Sequence, residues 1–376
     1  DACFMFSKRA QWSAATNRLT IARHAYRGTL LDLTNSNPTK AGLPYPLDEL
    51  SEVMARAARE PYDPQPLGLA SAREAVAREL ECDAGDVVIT ASTSEAYSFL
   101  FKLLCDPGDA VVTARPSYPL LEHLAALELI ELHYFALEFH RRWEIDPARL
   151  RGAMTERTRA VLVVNPNNPT GSYVTAPEQN EIARFGLPVI SDEVFHPFAF
   201  ADRAPSFARD DVLTFTLGGL SKSAGLPHFK LGWIRVSGPG KREAINALEM
   251  IADNFLSVTT PVQAALPELL AIAPQIRRAI QQRTSSNLAT LQTAIAAYPA
   301  ARVLPVEGGW SAVIRVPRID SDETLALRLI EEHGVVIHPG YFFDFESEGY
   351  LVVSLLTERG GFEEGISRLI SSLPSP

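Results

Sequence analysis

Asn165-Pro-Asn-Asn-Pro-Thr-Gly171, Ser191-Asp-Glu-Val-Phe195 and Leu220-Ser-Lys222 follow one another along the chain, with Pro116-Ser-Tyr-Pro119 before them. In this order they offer an aromatic ring, an amide, a carboxylate and a lysine amine. Together these groups suit a pyridine ring that carries an aldehyde and a phosphate. The amine attacks the aldehyde, the carboxylate pairs with a protonated ring nitrogen, and the amide and aromatic ring fix the rest. The chemistry indicated is that of pyridoxal phosphate.

Each piece taken singly has an ordinary explanation. Lys222 follows Gly218-Gly-Leu-Ser. Small and apolar neighbours disfavour the charged amine and make the neutral nucleophile accessible, yet most lysines are simply exposed. Asp192 ends an apolar run and either meets a buried cation or caps the segment that follows. Asn168 sits in a Pro/Gly segment that is also a common turn, and Tyr118 either stacks on a ligand or packs in a core. Ser92-Thr-Ser94 opens a helix behind a strand, where free N–H groups and hydroxyls suit a phosphate or merely cap the helix. Six lysines in all, among many arginines, make Lys222 and Lys230 less easily explained as surface charge.

The elements that must position these groups alternate. Apolar strands are expected at 87–90, 110–113, 160–164, 188–191, 213–217 and 232–236. Helices are expected at 47–60, 71–80, 94–104 and 118–127, with Ser71 and Glu74 forming a capping box. Continuous apolar strands between helices mean an α/β fold with a parallel sheet covered on both faces. In such sheets ligands bind beyond the carboxyl ends of the strands, where every motif above lies. Long helices are expected at 241–255, 261–272 and 275–297, and a smaller α+β lobe follows.

Bulk composition removes several classes. At 376 residues and 46% hydrophobic the chain can bury a large core. No apolar run approaches the roughly 20 residues of a membrane span. The segment Asp1-Ala-Cys-Phe-Met lacks the pattern of a secretory signal, so a cytoplasmic protein is expected. A net charge of −10 without a basic block argues against nucleic acid or anionic membrane as partner. Cys3, Cys82 and Cys105 are too scattered for a disulfide framework or a zinc site, and no metal is expected. The glycine directly before a P-loop lysine is missing at Leu220-Ser-Lys222, and no Gly-x-Ser-x-Gly elbow occurs.

Read jointly, the motifs resemble fold-type I pyridoxal-phosphate enzymes of the class I/II aminotransferase group, from about Asn35 to the C-terminus. Asn35-Ser-Asn-Pro38 and Pro61-Tyr-Asp-Pro-Gln65 look like the histidinol-phosphate aminotransferase branch. The resemblance implies a large domain over 46–285, a small one over 1–45 and 286–376, and a homodimer with shared sites. It implies that Lys222 holds the cofactor as a Schiff base and shuttles a proton, while Asp192 keeps the ring nitrogen protonated. Asn168 would donate to the ring oxygen and Tyr118 would stack. Ser92, Thr93, Ser94, Ser221 and Lys230 would hold the phosphate, with Tyr62 reaching in from the neighbouring subunit. Asn37 would touch substrate.

Four positions depart from the pattern. Phe195 replaces a tyrosine, Gly219 a serine and Lys230 an arginine, so the last keeps its charge but loses the bidentate fork. Val352 stands where the family has the arginine that grips a substrate carboxylate, and no arginine lies between Pro339 and Glu358. Either Arg359, Arg23 or Arg27 takes over, or the substrate lacks that carboxylate. Trp310, Tyr341 and Phe342-Phe343 either shape an apolar pocket or pack the small lobe. The expected reaction is ping-pong transfer of an amino group between an amino acid or related amine and a 2-oxo acid. The alternatives are a lyase, decarboxylase or racemase on the same fold, and a non-catalytic ligand-binding relative.

Overall fold

The computed structural model describes Ser7, Arg9 and residues 16–373. The segment read for a signal, Cys3 with it, lies outside the described residues. Seven strands form the main sheet: β1 (Val87–Thr90), β2 (Ala110–Arg115), β3 (Glu131–Ala136), β4 (Thr158–Val164), β5 (Val189–Asp192), β6 (Thr214–Gly219) and β7 (Gly232–Ser237). Their spatial order is β1-β7-β6-β5-β4-β2-β3. All pairs are parallel except those of β7, which runs antiparallel to β1 and β6. The sheet is therefore mixed and mostly parallel: the alternation of apolar runs and helices accounts for the parallel strands, and β7 departs from it.

Burial explains the unbroken apolar strands. Val87 and Ile89 face one core and Val88 the other, and all three are at most 3% exposed. A strand covered on both faces has no solvent side on which polar residues gain anything. On one side lie α1 (Ala70–Leu80) and the long helix over Thr260–Ala296, and on the other α2 (Thr93–Leu104). Helix α3 (Leu120–Leu127) starts two residues after Tyr118. Helix α1 begins at Ala70, one residue before Ser71, and its N-cap Leu69 makes no side-chain bond. The expected capping box is thus absent: Ser71 is already inside the first turn, where its hydroxyl cannot play the cap.

The two helices expected over 261–297 are one, α4 (Thr260–Ala296), 37 residues through Pro267 and Pro274. An interior proline forfeits a backbone bond and costs about 3 kcal/mol. Leu266, Leu269, Leu270, Ala273 and Ile276, all buried, offset this at roughly 1.5–3 kcal/mol per large side chain. The same helix then enters a second core through Leu288, Leu291 and Ile295. That core backs an antiparallel sheet of β8 (Arg302–Val303), β9 (Ser311–Arg315), β10 (His338–Pro339) and β11 (Tyr350–Ser354) in the order β8-β9-β11-β10. Helices α5 (Asp322–His333) and α6 (Arg359–Ser372) pack on it. No helix among the described residues is long and apolar enough to cross a membrane, and no cluster of metal-ligating side chains occurs among them.

Candidate active site

The carboxyl ends of β1, β2, β4, β5 and β6 lie along one edge of the sheet, because these strands all run the same way. Each delivers one motif there. Asp192 is the last residue of β5, Lys222 lies three residues past β6, and Asn168 four past β4. Tyr118 follows β2, and Ser92 follows β1 and caps α2.

Asp192 is 9% exposed, and burial raises its pKa above the usual carboxylate range. One oxygen, Oδ1, accepts from the Val194 N–H at 3.1 Å, so the turn-capping role is real. The other, Oδ2, accepts from the Tyr97 hydroxyl at 2.7 Å. Both donors are neutral. A buried carboxylate held only by neutral donors is short of a cation.

Lys222 is half-buried, and desolvation lowers its amine pKa against the opposing pull of Asp192. Its Nζ donates to the Ser36 carbonyl at 3.5 Å and lies 5.4 Å from the Trp310 ring centre and 6.0 Å from that of Phe195. Those rings meet edge-on at 5.2 Å. Asn168 accepts from Ser311 Oγ at 3.4 Å, which leaves its amide N–H₂ to donate elsewhere. Tyr118, 45% exposed, is near enough to Asp192 that the carboxylate helps burial to raise its phenol pKa.

At the N-terminus of α2, Ser92 Oγ accepts from the Glu95 N–H at 3.2 Å. The capping role of Ser92 is therefore filled, and the first-turn N–H groups of Thr93 and Ser94, which have no intrahelical acceptor, remain for an anion. Glycine at 232 is required here, since a Cβ there would stand 2.8 Å from the Ser92 carbonyl carbon and 3.0 Å from the Thr93 nitrogen. Ser221 is half-buried beside Lys222, and Lys230 is exposed. Lys230 is anchored in the chain by the adjacent Leu231, whose carbonyl accepts from the Leu220 N–H at 2.9 Å.

Residues expected at the substrate end are less gathered. Asn37 Oδ1 is used by its own turn, accepting from Thr39 N and Oγ1. Arg23 pairs with Asp32 at 2.8 Å, and Arg359 is exposed at the start of α6. Val352 is 1% exposed in a core with Val313 and Phe343. Tyr62 is 74% exposed. Of the small-lobe aromatics, Trp310 reaches Lys222, whereas Phe342 and Phe343 pack against His338 and Tyr341 packs on Phe342.

Tyr97 was not anticipated from sequence. It belongs to the helical face that reads as core, and only its position one turn beyond Thr93 hints at a polar duty. Ser36 and Ser311 were also missed, because both act across more than 140 residues of chain.

The donor set fits pyridoxal phosphate. A lysine whose pKa is lowered by burial would suit the aldehyde, a buried carboxylate with only neutral donors the ring nitrogen, and a helix N-terminus the phosphate. A family model described as aminotransferase class I and II matches residues 34–369. Nicotianamine aminotransferase 1 of Oryza sativa subsp. japonica is 32% identical over 224 residues, 55% of this chain and 45% of that protein. The chain thus matches less than half of that relative's length. Tyrosine aminotransferase of Homo sapiens is 26% identical over 352 residues, 87% of this chain and 77% of that one. Among solved structures, alanine aminotransferase from Pyrococcus furiosus superimposes with a TM-score of 0.86 at 22% identity, covering 97% of this chain and 98% of that chain.

Proposed function

The chain belongs to the family of class I and II aminotransferases, and on that premise we propose a pyridoxal-phosphate enzyme that moves an amino group between an amino acid or related amine and a 2-oxo acid. The observation that carries this is the convergence of Lys222, Asp192 and Asn168 beyond β6, β5 and β4. When bound, pyridoxal phosphate supplies an electron-poor ring that accepts negative charge from the carbon bearing the amine.

The chain's own residues supply the rest. Burial keeps the Lys222 amine available in its neutral form, first as nucleophile towards the aldehyde and then, once released, as the group that carries a proton at Nζ. Asp192 holds the ring nitrogen protonated, and Tyr97 and Val194 orient it. The Asn168 amide donates to the ring oxygen while Ser311 orients it, and Tyr118 stacks. Thr93, Ser94, Ser221 and Lys230 take the phosphate, Ser92 positions the helix start, and Trp310 and Phe195 exclude water from Nζ.

Domains at 46–285 and at 1–45 with 286–376 are consistent with α4 passing from one core to the other. A homodimer is proposed on the exposure of Tyr62, Phe255 and Leu256, of which Tyr62 and Leu256 border one cleft. A cytoplasmic site is proposed on the acidic charge and the free Cys82 and Cys105.

The test is a panel of amino donors scored by loss of the bound cofactor's visible band. At least one donor should bleach it, and a 2-oxo acid should restore it. If a donor is consumed while the band persists, a lyase, decarboxylase or racemase is the better assignment. A protein that takes up no cofactor is a ligand-binding relative instead. Because Val352 cannot pair with a carboxylate, the panel includes amines that lack one. Histidinol phosphate belongs in it too, on the strength of Asn35–Pro38 and Pro61–Gln65 alone. Phe195 has no hydroxyl to donate to the ring oxygen. Phe195→Tyr should lower the pH at which the bound cofactor's absorbance changes, measured by titration, and equal values would remove the role assigned to this position.

A further inference from the structure

The edge of the small-lobe sheet carries a groove of about 500 Å³, open to solvent. Arg302, Arg315 and Arg318 line it, and the rest of its wall is proline, alanine and valine, with no acidic residue. All three arginines are exposed, so a solute can reach them. Register brings two of them together: β8 pairs antiparallel with β9, and Arg302 stands directly opposite Arg315. Residues so opposed share one face of the sheet, and like charges there are destabilising. Acidic residues outnumber Lys and Arg by 45 to 35 in this chain, so three cations without a carboxylate run against its composition.

Little of their hydrogen-bonding capacity is used. Arg315 makes no hydrogen bond or ion pair among the described residues. Arg302 lies 5.6 Å from the centre of the Phe139 ring, a contact that takes up none of its N–H donors. Arg318 gives one donor, Nη2, to Ser347 Oγ at 2.9 Å. Carboxylates close to them in the chain are committed elsewhere. Asp320 pairs with Arg328 at 2.8 Å, and Glu138, beside Phe139, pairs with Arg149 at 2.6 Å. The volume is that of a small-molecule site.

We infer that this groove binds a small phosphate-bearing anion of two or more charges, held by Arg302, Arg315 and Arg318 together. The three forks come from two strands and from the segment after β9. A planar carboxylate is filled by one fork, whereas a tetrahedral phosphate turns oxygens in several directions and accepts from several forks at once. Arg315 is at the opposite end of β9 from Ser311, the partner of Asn168, roughly 13 Å away at the rise of a strand. The occupant is therefore a second ligand, separate from the groups assigned to the cofactor.

Calorimetric titration of inorganic diphosphate into the cofactor-loaded full chain tests this, the cofactor keeping the probe off the start of α2. One diphosphate per chain should bind, more weakly as salt rises. Arg302→Gln and Arg315→Gln should each weaken it at least about tenfold. Arg315→Glu should fold, because its carboxylate faces Arg302, and should lose the diphosphate altogether. Absence of binding, or binding unchanged in Arg315→Glu, overturns the site. Malonate binding as tightly as diphosphate through the same residues overturns the phosphate assignment.

Discussion

Lys222→Ala should lose amino-group transfer by a factor on the order of 10⁴ or more, the scale at which an enzyme falls when its nucleophile is removed. The loss has two sources at one atom. The amine that captures the cofactor aldehyde is gone, and so is the base that moves the proton. Fold should survive. Lys222 is half-buried and makes one long bond, to the Ser36 carbonyl at 3.5 Å, so its removal leaves no costly unpaired donor and exposes only the faces of Phe195 and Trp310. Borohydride reduction followed by peptide mapping separates chemistry from folding. In the parent protein the label should fall on the peptide carrying Lys222. A label on Lys230, or on none of the six lysines, would sink the proposed site whatever the activity of the variant.

How far the sequence leads can be judged from particular residues. The buried strands announce themselves, because Val87–Ile89 and Ala160–Val164 are apolar on both faces for a physical reason that needs no partner information. The site is legible where one segment carries both the turn and the functional group, as at Asn168, Asp192 and Lys222. It fails where the partner is distant. Nothing local to Tyr97 says that its hydroxyl meets a carboxylate 95 residues away. Helix boundaries fail for a related reason: Pro274 reads as a break, yet tertiary burial of its neighbours carries α4 through it. Ser71 and Glu74 satisfy the capping pattern in sequence, but the chain enters the helix one residue earlier.

Asp192→Asn should slow transfer by roughly 10²–10⁴, since the ring nitrogen loses the group that keeps it protonated. Its stability profile should move the other way. The folded pKa of Asp192 is raised by burial above its unfolded value, so folding takes up a proton at this site. Stability contributed here is fully present below the unfolded carboxylate range and is lost as pH rises towards the folded value. In protein stripped of cofactor, this side chain once ionised is a buried charge whose hydrogen bonds come from Tyr97 and Val194 alone. Asparagine keeps an acceptor for one of them and removes the charge. The stripped variant should therefore melt at or above the parent at pH 7–8, with the difference shrinking towards pH 4. Loading with pyridoxal phosphate should reverse the order, because the parent gains a cationic partner for its carboxylate and the variant does not. Differential scanning fluorimetry across pH, with and without cofactor, reads both effects. A variant that melts below the parent in both forms would show Asp192 to be a structural cap, its bond to the Val194 N–H being the one that counts. The crossing of the two orders is what distinguishes a carboxylate held in readiness for a cation from one that merely closes a turn.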